Sequence, residues 1–217
     1  MGSIDANLQI SQLISGWVAE GMPQQPGCTW PKAKWITAFP DHAQMFIDAP
    51  VLLTRDFVGK KTQESILGGD PLSGFLISMA WGYGMTGYGR FRTNQVIKNP
   101  GILGVLKDSG ELAMAGDVIS AFRVFEDAKP SGIKVAFATK YLYFASREQS
   151  REALILDSVI AKYLTKSTGK KYKLFQFRSD DYEHYLTFME AQASVNKISA
   201  GCLEEAIFFS LNRNWGQ

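Results

Sequence analysis

The chain has 217 residues and is poor in the residues that metal and disulfide chemistry require. It holds two cysteines, Cys28 and Cys202, far apart, and two histidines, His42 and His184. So few, without ligand spacing, support neither a disulfide framework nor a zinc site. No window approaches the roughly 18 consecutive apolar residues of a membrane span, and no basic segment leads into an unbroken apolar core at the N-terminus. The expectation is a soluble, cytoplasmic protein with no membrane partner. The phosphate-loop pattern Gly-x-x-x-x-Gly-Lys-Ser/Thr does not occur, which removes the usual nucleotide cradle. Strand signals are few, and there is no internal repeat, so the expected class is mainly α.

What is present is globular. Apolar residues make up 46% and charged residues 20%, enough to bury a core and too apolar for long disorder. The expected organisation is one helix-rich domain over residues 1–217, compact or as two lobes with a cleft between them. Residues 1–66 read as an N-terminal helix and a Pro/Trp-rich loop region, and residues 67–217 as the helical core. The net charge of +2 hides segregation, because fourteen of the 23 basic residues fall in three windows that contain no acid: 81–107, 129–147 and 159–178. If those windows share a face, they form a phosphate-binding footprint. Solvated basic faces are the plain alternative.

Apolar spacing predicts helices over 4–20 (with Leu8, Ile10, Ile14 and Trp17), 41–51 with Asp41 as N-cap, 68–83, 116–126, 135–145, 158–164, 182–192 and 203–215. Residues 21–40 carry Pro23, Pro26, Pro31 and Pro40 and read as irregular, with Trp30, Trp35 and Phe39 pinning the segment to the body. Residues 101–106 form a short apolar run, 147–152 a polar loop and 166–173 a basic loop.

Three segments carry candidate chemistry. Trp81-Gly-Tyr-Gly-Met-Thr-Gly-Tyr-Gly-Arg-Phe-Arg-Thr93 interleaves glycines with aromatics and arginines, reading as a loop where a backbone can approach a ligand, rings can stack and Arg90 and Arg92 can hold phosphate. No apolar strand precedes it, so it is no dinucleotide fingerprint. Lys129-Pro-Ser-Gly-Ile-Lys134 is a tight turn between two helices. Beyond it, Lys140 sits inside an apolar helix and Asp157 follows an apolar run at the start of another. An amine there is snorkelling or working, and an aspartate there is a cap, a catalyst or both.

The order helix, glycine-containing hairpin, lysine-bearing helix, helix-opening aspartate resembles the helix-hairpin-helix DNA glycosylases, in particular their 8-oxoguanine branch. The stretches Trp81-Gly-Tyr-Gly…Gly-Tyr-Gly-Arg-Phe-Arg-Thr, Phe137-Ala-Thr-Lys-Tyr-Leu-Tyr-Phe and Leu154-Ile-Leu-Asp-Ser-Val-Ile are similar to a compact bacterial group with that fold, some of whose members are associated with antiphage defence. The resemblance covers roughly residues 67–215, with the first 66 adding little. It implies a monomeric enzyme that flips a modified base out of double-stranded DNA and excises it, using no cofactor and no metal. The base implied is an oxidised guanine in repair or a hypermodified cytosine of phage DNA. Asp157 would stabilise positive charge on the sugar, and a lysine would attack it. Lys140 is favoured, with Lys134 the alternative because the oxoguanine branch places its lysine directly after the hairpin. If a lysine attacks, a Schiff base can lead on to strand cleavage.

By the same resemblance, DNA would be held by Gly132, Ile133, Lys134, Arg90, Arg92 and Thr139. The flipped base would sit among Trp81, Tyr83, Tyr88 and Phe137. A second glycine usual in the hairpin is replaced here by Lys134. The competing readings are a DNA-binding helix-hairpin-helix module without chemistry and a helical protein-interaction domain.

Overall fold

The computed structural model describes residues 3–23 and 25–211, with residues 3–9 described through their backbone. Among them, helix α1 (Ser3–Ala19) is followed by strand β1 (Cys28–Thr29), α2 (Lys32–Ala38), a 3₁₀ turn (Pro40–His42), α3 (Ala43–Asp48) and strand β2 (Leu52–Leu53). Then come α4 (Arg55–Leu67), α5 (Pro71–Tyr83), α6 (Gly89–Ile97), α7 (Ile102–Met114) and α8 (Val118–Ala128). The chain closes with α9 (Val135–Ala145), α10 (Ser158–Thr168), α11 (Ser179–Asn196) and α12 (Ala200–Leu211). The class is mainly α; β1 and β2 make one short antiparallel ladder pairing Cys28 with Leu53.

Helix α9 explains the layout. All but two of its eleven residues are buried, and a helix that is apolar all round must be covered on every side. It is enclosed by α4, α5, α7 and α8, while α12 packs on α1, α10 and α11. Its aromatic residues lock the layers together: Phe144 meets Trp81 edge-on at 5.0 Å, and Tyr141 meets Phe75 edge-on at 5.9 Å and donates to the Leu106 carbonyl at 2.8 Å. Each such ring contributes about 1.5–3 kcal/mol by leaving water. Asp70 caps α5 by accepting from the Ser73 amide, with Pro71 in the first turn, where its missing N–H costs nothing.

Several expected elements differ from those observed. Residues 21–40 are not wholly irregular: α2 forms there, its Trp35 and the flanking Trp30 and Phe39 buried as expected. Asp41 lies inside the 3₁₀ turn and caps nothing. The glycine-rich stretch is a loop only over 84–88, because α5 runs through Tyr83 and α6 begins at Gly89. The run at 101–106 starts a thirteen-residue helix, and α10 continues to Thr168, into the expected basic loop. Helix α4 had no sequence-based counterpart. Leu8 and the end of the expected 203–215 helix beyond Leu211 lie outside the described side chains, and Leu211 itself is half-exposed.

Candidate active site

Asp157 is delivered by a buried strap. Ala153, Leu154, Ile155 and Leu156 are almost wholly inaccessible yet belong to no helix or strand, so their backbone groups need other partners. Side-chain hydroxyls from α9, its C-cap Ser146 and α11 supply several of them. Ser146 Oγ accepts from the Ala153 amide at 2.7 Å, and Thr139 Oγ1 accepts from the Leu156 amide at 3.1 Å. Tyr182 both accepts from the Leu154 amide and donates to its carbonyl, and Tyr185 donates to the Ile155 carbonyl at 3.0 Å. The strap is thereby fixed between α9 and α11. Thr139→Val keeps the side-chain shape but orphans the buried Leu156 amide; it should cost about 1–3 kcal/mol in chemical denaturation. A loss under a few tenths would show that the hydroxyl does not hold the strap.

At the end of the strap the two oxygens of Asp157 have different surroundings. Oδ1 accepts from the Val159 and Ile160 amides at 2.9 and 3.1 Å, capping α10. Oδ2 lies 4.0 Å from Lys140 Nζ. Capping and chemistry therefore need not compete.

Lys140 is 9% exposed, and burial pushes the pKa of its ammonium down; Asp157 and Glu204 pull it back up, and Arg55 lowers it further. Its stem lies along α5 where residue 82 is glycine. A methyl group there would come within 2.9 Å of Lys140 Cδ. Both charged groups line a cavity of about 220 Å³ together with Trp81, Ser158, Val159 and Phe208.

Three further polar residues in that cavity were not anticipated. Arg55, first residue of α4, is 7% exposed and donates to Glu204 Oε2 of α12 at 2.8 Å. It also donates through Nε and Nη2 to Gln25 Oε1 at 3.1 and 2.9 Å. Its guanidinium lies 5.4 Å from the Trp81 ring and 5.0 Å from that of Tyr143. Burial opposes the Arg55 charge, but Glu204, Tyr143 and Glu205 more than restore it, so its pKa lies above the ordinary value. Burial pushes the Glu204 carboxyl up while Arg55 pulls it back. A neutral Glu204 would leave a buried guanidinium short of its partner, which favours the ionised pair. One signal could have found Glu204: it stands at helical spacing with Ile207 and Phe208, on the apolar face.

Lys134 is elsewhere. It precedes α9, its ammonium 4.2 Å from the Phe175 ring, and it does not line the cavity. The hairpin it closes is compact. Gly132 takes φ 85°, a conformation that glycine adopts freely, and Ile133 is buried. Asn99, just beyond α6, brackets the turn by donating to the Ser131 carbonyl and accepting from the Ser131 amide, both at 2.9 Å. Among the described residues, the amides of Gly132, Ile133 and Lys134 donate to no backbone acceptor, as an anion nest requires.

The remaining assignments divide. Trp81 lines the cavity; Tyr83 and Phe137 stack on each other at 4.2 Å beside it, with Lys140 Nζ 5.5 Å from the Phe137 ring. Tyr88 is 72% exposed at the start of α6 and lies outside the cavity, so its expected place in the base pocket is corrected. Thr139 is completely buried and bonded to the strap, which removes it from any DNA-contacting surface. Arg92 is exposed and Arg90 partly so. The basic windows are partly neutralised: Lys170 and Arg178 both pair with Asp181, and Arg147 with Asp56.

No group of three or more His, Cys, Asp or Glu residues among those described could hold a metal ion, and no described helix is long and apolar enough to cross a membrane. A helical body, a glycine-bearing hairpin between α8 and α9, and a buried lysine and partly buried aspartate after it are the features by which the chain resembles the helix-hairpin-helix DNA glycosylases. The family model described as "Putative 8-oxoguanine DNA glycosylase OGG-like protein" matches residues 21–208, and the chain belongs to that family. No curated protein and no solved structure matches it. The match begins at residue 21, so the likeness is not confined to residues 67–215: it takes in Gln25 and Arg55.

Proposed function

We propose that the protein excises a modified base from duplex DNA, with Asp157 and Lys140 as the reacting pair. The observation that carries this is the division of labour at Asp157, whose Oδ1 caps α10 while Oδ2 faces Lys140 across the wall of a base-sized cavity. As the glycosidic bond breaks, its electron pair leaves with the base and positive charge builds on the deoxyribose. A carboxylate fixed in a partly buried site stabilises that charge. Unprotonated Lys140 Nζ forms the new bond to the sugar carbon, and opening of the sugar ring gives the imine from which strand cleavage proceeds. Without that attack, water takes the same place and an abasic site remains.

Duplex binding is assigned to the hairpin amides of Gly132 and Ile133, to the Lys134 charge, and to Arg90 and Arg92. Tyr88 and Phe91, both exposed and three residues apart at the start of α6, suit the gap left in the stack when a base is extruded. The protein would act as a cytoplasmic monomer.

The test is incubation of the purified protein with end-labelled duplexes carrying 8-oxoguanine, uracil, or hydroxymethylated or glucosylated cytosine, with and without alkali. Release of oxoguanine marks a repair role, and release of glucosylated cytosine marks defence against phage DNA. No abasic product from any duplex would sink the proposal and favour a binding module. Borohydride trapping tests the lysine, because only the neutral amine attacks. Trapping should rise with pH along a limb below that of an ordinary lysine. In Asp157→Asn the limb should move lower still, since the carboxylate raises the Lys140 pKa. A limb unmoved by that substitution would separate Lys140 from Asp157.

A further inference from the structure

Two of the side chains that line the cavity each carry a buried polar atom with no hydrogen-bond partner among the described residues. Glu204 is wholly inaccessible, and its Oε1 is unpaired among the described residues; so is Gln25 Nε2. Buried polar atoms are rarely left so, because each costs the loss of its water. Their hydrogen-bonding sense is set by Arg55. A guanidinium only donates, so the Gln25 atom facing it must be the amide oxygen, which leaves Nε2, a donor, turned away. For the same reason one Glu204 oxygen is committed to Arg55 and the other remains an acceptor. The backbone N–H of Gln25 donates to Glu205 Oε1 at 2.7 Å, tying its segment to α12.

We propose that Gln25 and Glu204 read the extruded base: Glu204 Oε1 accepts an N–H of the base while Gln25 Nε2 donates to a neighbouring ring nitrogen or carbonyl oxygen. The ligand class is a nucleobase edge with a donor beside an acceptor, and Arg55 is the positioning residue that fixes which atom each side chain presents. This rests on the glycosylase reading and adds the groups that select the base.

The double exchange Gln25→Glu with Glu204→Gln tests it. It keeps one carboxylate and one amide on Arg55, so the buried charge stays paired, but the two atoms facing the base exchange donor and acceptor roles. Glu204→Gln alone is the companion variant and is expected to lower Tm. Affinities are compared for duplexes with an uncleavable, ribose-fluorinated 8-oxoguanine or glucosylated hydroxymethylcytosine nucleotide and for a duplex with a tetrahydrofuran abasic analogue.

The wild type should prefer one base-bearing duplex over the abasic one by at least ~10-fold, and the double exchange should lose that preference while keeping its affinity for abasic DNA. Its Tm should return towards the wild type, and single-turnover release of the same base should remain down by ~100-fold or more. A double exchange that regains both stability and base release would overturn the proposal, showing that the pair only neutralises Arg55. A wild type that prefers the base-bearing duplex yet releases no base would instead defeat excision and leave base reading standing.

Discussion

Replacing Asp157 by asparagine should slow single-turnover base release by about 10²–10⁴-fold while leaving unfolding within ~1 kcal/mol of the wild type. The two halves of this expectation come from the two oxygens. Asparagine caps helices about as well as aspartate, so its carbonyl oxygen can take over the bonds from the Val159 and Ile160 amides. What it removes is the negative charge facing Lys140 and the sugar. Asp157→Ala would lose cap and charge together and could not separate them. Retention of more than about a tenth of the wild-type rate by the asparagine variant would contradict a direct role in charge stabilisation.

The largest effect on stability is expected at Arg55. Arg55→Met leaves Glu204, which is inaccessible to water, as an uncompensated buried carboxylate; such losses cost about 3–5 kcal/mol. The double variant Arg55→Met with Glu204→Leu removes both charges and should recover most of that, as replaced buried pairs often do, yet it should remain unable to release a base. The pH dependence follows from burial, which raises the folded-state pKa of Glu204 above its unfolded value, and Arg55 no longer opposes this in the single variant. A raised carboxyl pKa means that the folded state holds the proton more tightly, so stability is kept in acid and lost as pH rises through the folded pKa. The deficit of Arg55→Met should therefore shrink on acidification. Denaturant titrations of both variants and the wild type at neutral and acid pH check this, and a single variant as stable as the double one would show that the pair is not buried in solution.

The parts of the molecule legible in the sequence were those in which burial is written as apolar pattern. Helix α9 matched its expected bounds because almost every residue is apolar, and that background made Lys140 conspicuous. Asp157 stood out against Leu154–Leu156. Helix α4 escaped because the positions it buries include Arg55, Gly59 and Thr62, which carry no hydrophobic period. Its interior face is chosen by a partner 149 residues away, Glu204, and no local window contains both. Gln25 sits in a proline-broken segment whose only evident signal was its tryptophans. The glycine-rich stretch misled for a related reason: its sequence looked like a ligand loop, but the chain folds most of it into the ends of α5 and α6.

The Asn99 bracket has a mechanical consequence. By holding Ser131 from both sides, it welds the hairpin to the segment that carries Arg90, Arg92, Tyr88 and Phe91. The proposed phosphate grip and the parts that would enter the stack then move as one jig, so force exerted on the backbone at one point is transmitted to the base step at another without slack. Less freedom remains to be surrendered when DNA arrives, and cutting the bracket would turn a single tool into two loose ones.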